Sequence, residues 1–153
     1  TMPPNTSAPI AAPATFPWRD AFLLGYSEMD ATHQEFVRVV SSLLDADATS
    51  MVKCMQAFIE HAQKHFGEED TWMRDTDFPA ADCHIAEHGD VMRSAYDVLD
   101  RAKAGDLVTT RRFAEELTRW FPGHADYLDS ALAAWMVKRQ HGGKPVVLRR
   151  QIV

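Results

Sequence analysis

Apolar residues recur at three- and four-residue steps through four long stretches of this chain, and only short breakers separate one stretch from the next. The first stretch predicts a helix from about Ala31 to Leu44, with Asp30 as its N-cap and His33, Phe36, Val37, Val40 and Leu44 along its inward stripe. The second runs from about Met51 to Met73, with Cys54, Phe58, His61, His65, Glu69 and Trp72 on one face. Pro79 suits the first turn of a third helix that ends near Lys103, with Gly105 as its stop. His84, His88, Val91, Ala95 and Val98 lie along one side of it. The fourth runs from about Leu107 to Arg139 and carries Pro122-Gly123 in its middle. There the proline removes a backbone donor and crowds the Thr118 carbonyl, so a kink is expected. Four such helices joined by short connections predict an all-α fold, an up-down antiparallel four-helix bundle.

The ends of the chain have a different character. Residues 1–17, TMPPNTSAPIAAPATFP, read as a flexible Pro-rich arm, residues 18–141 as the single folded domain, and residues 142–153 as a short basic tail. A length of 153 residues with 46% hydrophobic content suffices for one core without staples. The net charge is −6, but the stretch from Lys138 to Val153 holds five basic residues and no acid, so the rest of the chain sets 11 basic side chains against 22 acidic ones. A body so acidic repels phosphate backbones, which argues against nucleic acid as a partner. No apolar run approaches the roughly 20 residues of a membrane span, so no membrane insertion is expected. The arm lacks a basic segment ahead of its apolar residues, and prolines interrupt it, which argues against a secretory leader. Two cysteines, Cys54 and Cys83, are too few for a disulfide framework and read as small core residues of a reduced, cytoplasmic protein.

The chemistry enters through what the apolar stripes contain. Ionisable residues occupy inward positions on all four helices: His33 on the first, His65 and Glu69 on the second, His84 and His88 on the third, His124 and Asp129 on the fourth. A spacing of four leaves two helical side chains about 40° apart around the axis and about 6 Å apart along it, so each i,i+4 pair can reach one point. His124 and Asp129 are five apart, about 140° in a straight helix, so they either straddle the bundle axis or sit on a local π-bulge. Stranding even one polar group in an apolar core costs about 1–3 kcal/mol, and seven together need a common partner. Two divalent ions supply one. Imidazole and carboxylate suit iron, manganese or zinc, and the lack of thiolate among these positions argues against a sulfur-rich zinc site.

The order of these elements, a lone histidine in EMDATH, then HFGEE, HIAEH and HADYLD, resembles the hemerythrin family, in particular its bacterial members. Trp18 ahead of Gly25 and the pair Trp120-Phe121 before His124 fit the same pattern, and the resemblance covers about Trp18 to Lys138. It implies an oxo- or hydroxo-bridged centre of two Fe ions. On matching positions, His84, His88 and His124 would complete one iron, His33 and His65 the other, and Glu69 and Asp129 would bridge both. The iron with two histidines would keep an open position where O2 binds as hydroperoxide, so the resemblance implies reversible O2 binding for transport, storage or delivery rather than an enzyme. Two Fe(II), two carboxylates and one hydroxide would sum to about +1, a charge tolerable in a dry core. The histidine-rich set also differs from ferritin-like sites, since no Glu-x-x-His occurs in the chain.

Alternatives stay open on the same residues: an O2 or redox sensor acting through a protein partner, an enzyme handling peroxide or nitric oxide, or a structural zinc protein. His61, one turn before His65, has no place in the motif and reads as core or as a neighbour of the ligands; it is the one visible acid or base for an enzyme. Glu68 and Asp70 read as solvated helix charges, Asp126 as pointing away from His124, and His141 as exposed. Phe36, Phe58, Phe66, Trp72, Trp120, Phe121, Leu128 and Trp135 read chiefly as core, some of them walling the O2 pocket.

Overall fold

Helix after helix follows the stripes. The computed structural model describes residues 14–140, and α1 (Ser27–Leu44), α2 (Met51–Asp75), α3 (Ala81–Lys103) and α4 (Leu107–His124) are followed by a π-helical turn (Ala125–Asp129) and α5 (Ser130–Gln140). The last three form one continuous rod, so four rods make the bundle. α1 packs on α2 and α4, and α3 packs on the same two, the neighbour order of an up-down bundle with short connections. Residues up to 13 of the arm, His141 and the tail from 142 onward lie outside the described residues. No helix among the described residues is long and apolar enough to cross a membrane.

Several details differ from the sequence reading, each for a local reason. α1 starts at Ser27, and Asp30 sits within its first turn rather than capping it. The Asp30 carboxylate instead accepts from the backbone N–H groups of Leu24 (2.8 Å) and Gly25 (3.1 Å), holding the entering loop where Gly25 turns at φ 85. Asp30→Ala is expected to cost about 1–2 kcal/mol, read as a melting temperature lower by several degrees. Pro79 lies in the turn before α3 rather than within it. α3 ends at Lys103 and Gly105 follows at φ 88, a conformation that suits a glycine stop. α4 is capped by Asp106, whose carboxylate accepts from the Thr109 N–H. Pro122 lies inside α4, and the irregularity of the rod falls just beyond it, in the π-helical turn.

Phe16, assigned to the flexible arm from sequence, is buried, packs 5.8 Å from the Phe121 ring, and its carbonyl accepts from Ser41 Oγ. Leu43 takes the buried position expected of Leu44, and Met55 and Met73 are buried where Cys54 and Trp72 are only half-buried. Cys83 is exposed, so it is not a core residue.

The core has two parts. A large cluster, including Phe36, Val40, Phe58, Phe66, Val91, Ala95, Leu117 and Phe121, fills one length of the bundle. A smaller one, Tyr26, Met29, Met73, Phe78, Leu132 and Ala133, closes the other end. Along α1 the order is Met29, His33, Phe36; along α2 it is Phe66, Glu69, Met73; along the last rod it is Phe121, His124, Asp129, Leu132. A polar layer is thus held between two apolar plugs.

Candidate metal centre

In that layer every ionisable residue named from the stripes is buried: His33, His65, Glu69, His84, His88, His124 and Asp129. The i,i+4 pairs on α2 and α3 converge as helical spacing requires. The α4 pair converges by another route. In the π-helical turn the Ser130 N–H bonds to the Ala125 carbonyl, an i to i+5 link, and this wider turn brings residues five apart onto one face. His124 Nε2 and Asp129 Oδ1 are consequently 3.2 Å apart, whereas Asp126 is exposed.

The two carboxylates divide their oxygens. Glu69 turns Oε1 to His84 (3.4 Å) and His88 (3.3 Å), and Oε2 to His65 (2.7 Å) and His33 (3.8 Å). Asp129 turns Oδ1 to His84 (3.0 Å) and His124 (3.2 Å), and Oδ2 to His33 (3.1 Å). Two groups able to hold a metal result, one of Glu69, His84, His88, His124 and Asp129, the other of His33, His65 and Glu69, with donor atoms in each within 4.8 Å of one another. Asp129 Oδ2 lies beside the second group, 3.1 Å from His33 Nε2.

These atoms crowd together without bonding to each other. The Nε2 atoms of His33, His65, His84, His88 and His124, and all four oxygens of Glu69 and Asp129, have no hydrogen-bond partner among the described residues, although several pairs lie within ion-pair distance. Misaligned close approach is what results when lone pairs aim at shared points instead of at one another. A buried donor set of imidazole nitrogen and carboxylate oxygen, orphaned at these atoms, fits divalent iron, manganese or zinc.

The outward nitrogens are held by carboxylates that sequence reasoning had not assigned to the site. His88 Nδ1 pairs with Asp70 Oδ1 at 2.7 Å, so Asp70 is not a merely solvated charge. His124 Nδ1 pairs with Glu87 Oε1 at 2.8 Å, and Glu87 also accepts from Trp120 Nε1 at 2.9 Å while the Trp120 ring stacks on His124. His61 bridges His65 Nδ1 (3.1 Å) and the carboxylate of Glu35 (3.2 Å). A carboxylate on the far nitrogen of a metal-binding histidine orients its ring. The only sequence signal for Asp70 and Glu87 was adjacency, since each sits next to a residue of the motif.

Without metal the layer is a charge network. Burial disfavours the charged forms of His33 and His84, but the Asp129 and Glu69 carboxylates outweigh it and raise both to about 9. Burial would likewise lower His88, yet Asp70 and Glu69 raise it. Burial should raise the Glu69 carboxyl, but His65 and the other histidines hold it well below the ordinary range; Asp129, opposed by burial and by Glu69, is also lowered by His124, His33 and His84. His61 goes the other way: burial and His65 press it down to about 4 against the pull of Glu35, so it is neutral at physiological pH.

In metal-stripped protein, His33 and His84 contribute stability fully present below about pH 6.5, their unfolded value. That contribution is lost as pH rises through 9. Glu69 and Asp129 act oppositely, stabilising above about pH 4 and losing it as pH falls through their lowered values. Because metal must displace the histidine protons, loading at pH 7.5 is expected to release roughly two protons per chain, measurable in weakly buffered solution with a pH indicator. Loading without proton release would contradict these protonation states.

Aromatic rings line the His33 and His65 side. Phe121 meets His33 edge-on at 5.1 Å, Phe36 lies 5.9 Å from His65, and Phe36 stacks on Phe121 at 4.8 Å. Phe66 stands 4.9 Å from His65 and stacks on His88 at 4.2 Å.

Comparison with known proteins places this geometry in context. The hemerythrin HHE cation binding domain family matches residues 24–136. A bacteriohemerythrin of Ralstonia nicotianae is 37% identical over 122 residues, covering 80% of this chain and 89% of the relative. A bacteriohemerythrin of Aquifex aeolicus is 31% identical over 113 residues, covering 69% of this chain and 85% of the relative. No solved structure matches the chain.

Proposed function

The chain belongs to the hemerythrin family, and from that premise we propose that it is a non-haem di-iron protein that binds O2 reversibly, as a carrier, store or delivery protein. The observation that carries the reading is the division of the Glu69 and Asp129 oxygens between two sets of imidazoles. His84, His88 and His124 would hold one iron, His33 and His65 the other, with Glu69 and Asp129 bridging both. The first group offers five protein donors and the second three with Asp129 Oδ2 beside it, so the iron held by His33 and His65 would have the fewer protein ligands and would be the one to take O2. When bound, the iron pair supplies the two electrons that O2 binding needs and a coordination site to hold it.

The chain supplies the rest. Glu69 and Asp129 would fix the spacing of the pair, and the π-helical turn brings Asp129 onto the His124 face. Phe36, Phe66 and Phe121 keep water from the His33 and His65 side, which limits proton entry and oxidative loss of bound O2. A binding role is favoured over an enzymatic one by the state of His61, the acid or base singled out for an enzyme: its ring nitrogens face His65 and Glu35, which leaves neither of them open to a substrate. The acidic balance outside the stretch from Lys138 to Val153, 11 basic side chains against 22 acidic ones, gives poor footing for a phosphate backbone, and any protein that receives O2 is a partner of this same site.

Anaerobic titration of stripped protein with Fe(II) tests the assignment. Saturation at two irons per chain, followed by uptake of one O2 per iron pair, is the expected outcome. Saturation at one iron, or a preference for zinc that iron cannot displace, would contradict it.

A further inference from the structure

The five histidines of the polar layer are not equally supported at their outward nitrogens. His88 and His124 meet carboxylates directly, at Asp70 and Glu87. His33 and His84 have no partner at Nδ1 among the described residues. His65 meets neither a carboxylate nor nothing: its Nδ1 faces His61 Nε2 at 3.1 Å, and His61 Nδ1 faces Glu35 Oε1 at 3.2 Å. The line runs outward from a buried histidine, through a second buried ring, to a carboxylate whose side chain is 53% exposed on α1.

Hydrogen counting fixes the direction of this line. An ionised carboxylate has no hydrogen to give, so the contact with Glu35 requires His61 to donate from Nδ1. At the other end, His65 Nε2 faces Glu69 and needs its lone pair to bind metal, so the hydrogen shared at 3.1 Å comes from His65 Nδ1 and His61 Nε2 accepts it. We propose that Glu35 and His61 are positioning residues for His65: the exposed carboxylate, acting through the His61 ring, sets the His65 tautomer and makes it a more electron-donating ligand. The proposal rests on the di-iron reading above, since the electronic effect needs iron at His65.

The consequence falls on the iron held by His33 and His65. Of its two histidines, one has an unsupported Nδ1 and the other is polarised only through His61, so this relay is the outer support of that metal. A carboxylate behind a ligating imidazole raises its basicity, which favours ferric over ferrous iron. Lys64 and Arg38 lie near Glu35, and water reaches it, so the relay is weaker than the direct Asp70 and Glu87 contacts and open to adjustment at the surface.

The test uses full-length protein in two metal states. With zinc as a diamagnetic probe, 15N NMR of the imidazoles reads the tautomers. His61 should carry its proton on Nδ1, and Glu35→Leu should move the His65 resonances. With iron, Glu35→Leu and His61→Phe should both retain two irons and raise the reduction potential by an amount equal to about tenfold in the ferric/ferrous ratio, ~59 mV for one electron. Glu35→Gln, which keeps an acceptor without its charge, should give a smaller rise. A merely structural His61 would not respond to a change at the exposed Glu35. An unchanged potential in Glu35→Leu with both irons present, or a zinc form with the His61 proton on Nε2, overturns the relay and leaves the di-iron reading standing. Loss of one iron in His61→Phe would make His61 a ligand and overturn its positioning role. Wild-type protein that binds neither metal would overturn the di-iron reading and the relay with it.

Discussion

Glu69→Ala is expected to yield protein that holds no iron. Glu69 is common to both groups of donors, with one oxygen on each side of the layer. On the di-iron reading, truncating it would remove a ligand from each metal and the link between them, leaving Asp129 as the one carboxylate facing the inner nitrogens of the layer. His88→Ala is the instructive comparison, because it removes one donor from one group only: it should lower iron content and stability together, with the His33 and His65 side less affected. Glu68→Ala, at the half-buried neighbour outside the layer, should leave iron content unchanged. Metal analysis beside thermal melting distinguishes the three. Two irons retained in Glu69→Ala would remove the carboxylate from the centre and with it the two-group reading.

Stripping the metal with a chelator should produce the second large effect. Nine buried ligand atoms in the layer have no hydrogen-bond partner among the described residues, and each such atom costs about 1–3 kcal/mol when left without one. The histidines and carboxylates recover part of that cost by mutual attraction, so the sum overstates the loss. Metal present at a thousand times its dissociation constant stabilises the folded chain by about 4 kcal/mol, and tight binding gives more. For a chain of this size that corresponds to a fall in melting temperature on the order of 8–16 °C, reversed by adding Fe(II) back. The apolar clusters on either side should keep the stripped bundle helical, so far-ultraviolet circular dichroism before melting should change little. An unchanged melting temperature after stripping would mean that the layer is satisfied without metal.

The parts of this architecture carried by one helix at a time were legible in the sequence. The i,i+4 pairs at His65 and Glu69 and at His84 and His88 state their own convergence, because helical spacing leaves them nowhere else to point. The spacing of five between His124 and Asp129 admitted two geometries, and the π-helical turn is the one adopted. A widened turn takes up one extra residue, so the inward stripe steps by five from His124 to Asp129 before resuming at Leu132, and that step alone does not tell a π-turn from a pair straddling the bundle axis. Asp30 misled because an aspartate ahead of an apolar stripe looks like a cap; one turn further in, it performs the same bonding service for the loop behind it.

What spacing could not reveal lies between helices. Asp70 reaches His88 across 18 residues of chain, Glu87 reaches His124 across 37, and Glu35 meets His61 from a neighbouring helix. Each occupies a polar position that one helix would present to solvent. Their role depends on the rotation of one rod against the next, which is set by packing of the whole core. Cys83 shows the reverse error, a residue apolar enough for the interior that the helix leaves exposed.

Reversible O2 binding at an iron pair is read from the visible absorption of chemically reduced, iron-loaded protein through repeated cycles of O2 admission and removal. The expected result is a colourless reduced form with two irons per chain, a visible band that rises when O2 is admitted, and its disappearance when O2 is stripped away, over successive cycles. A band that forms and persists after stripping, with the iron left oxidised, would contradict reversible binding, and a centre that holds zinc and gives no band at all would contradict the iron pair itself.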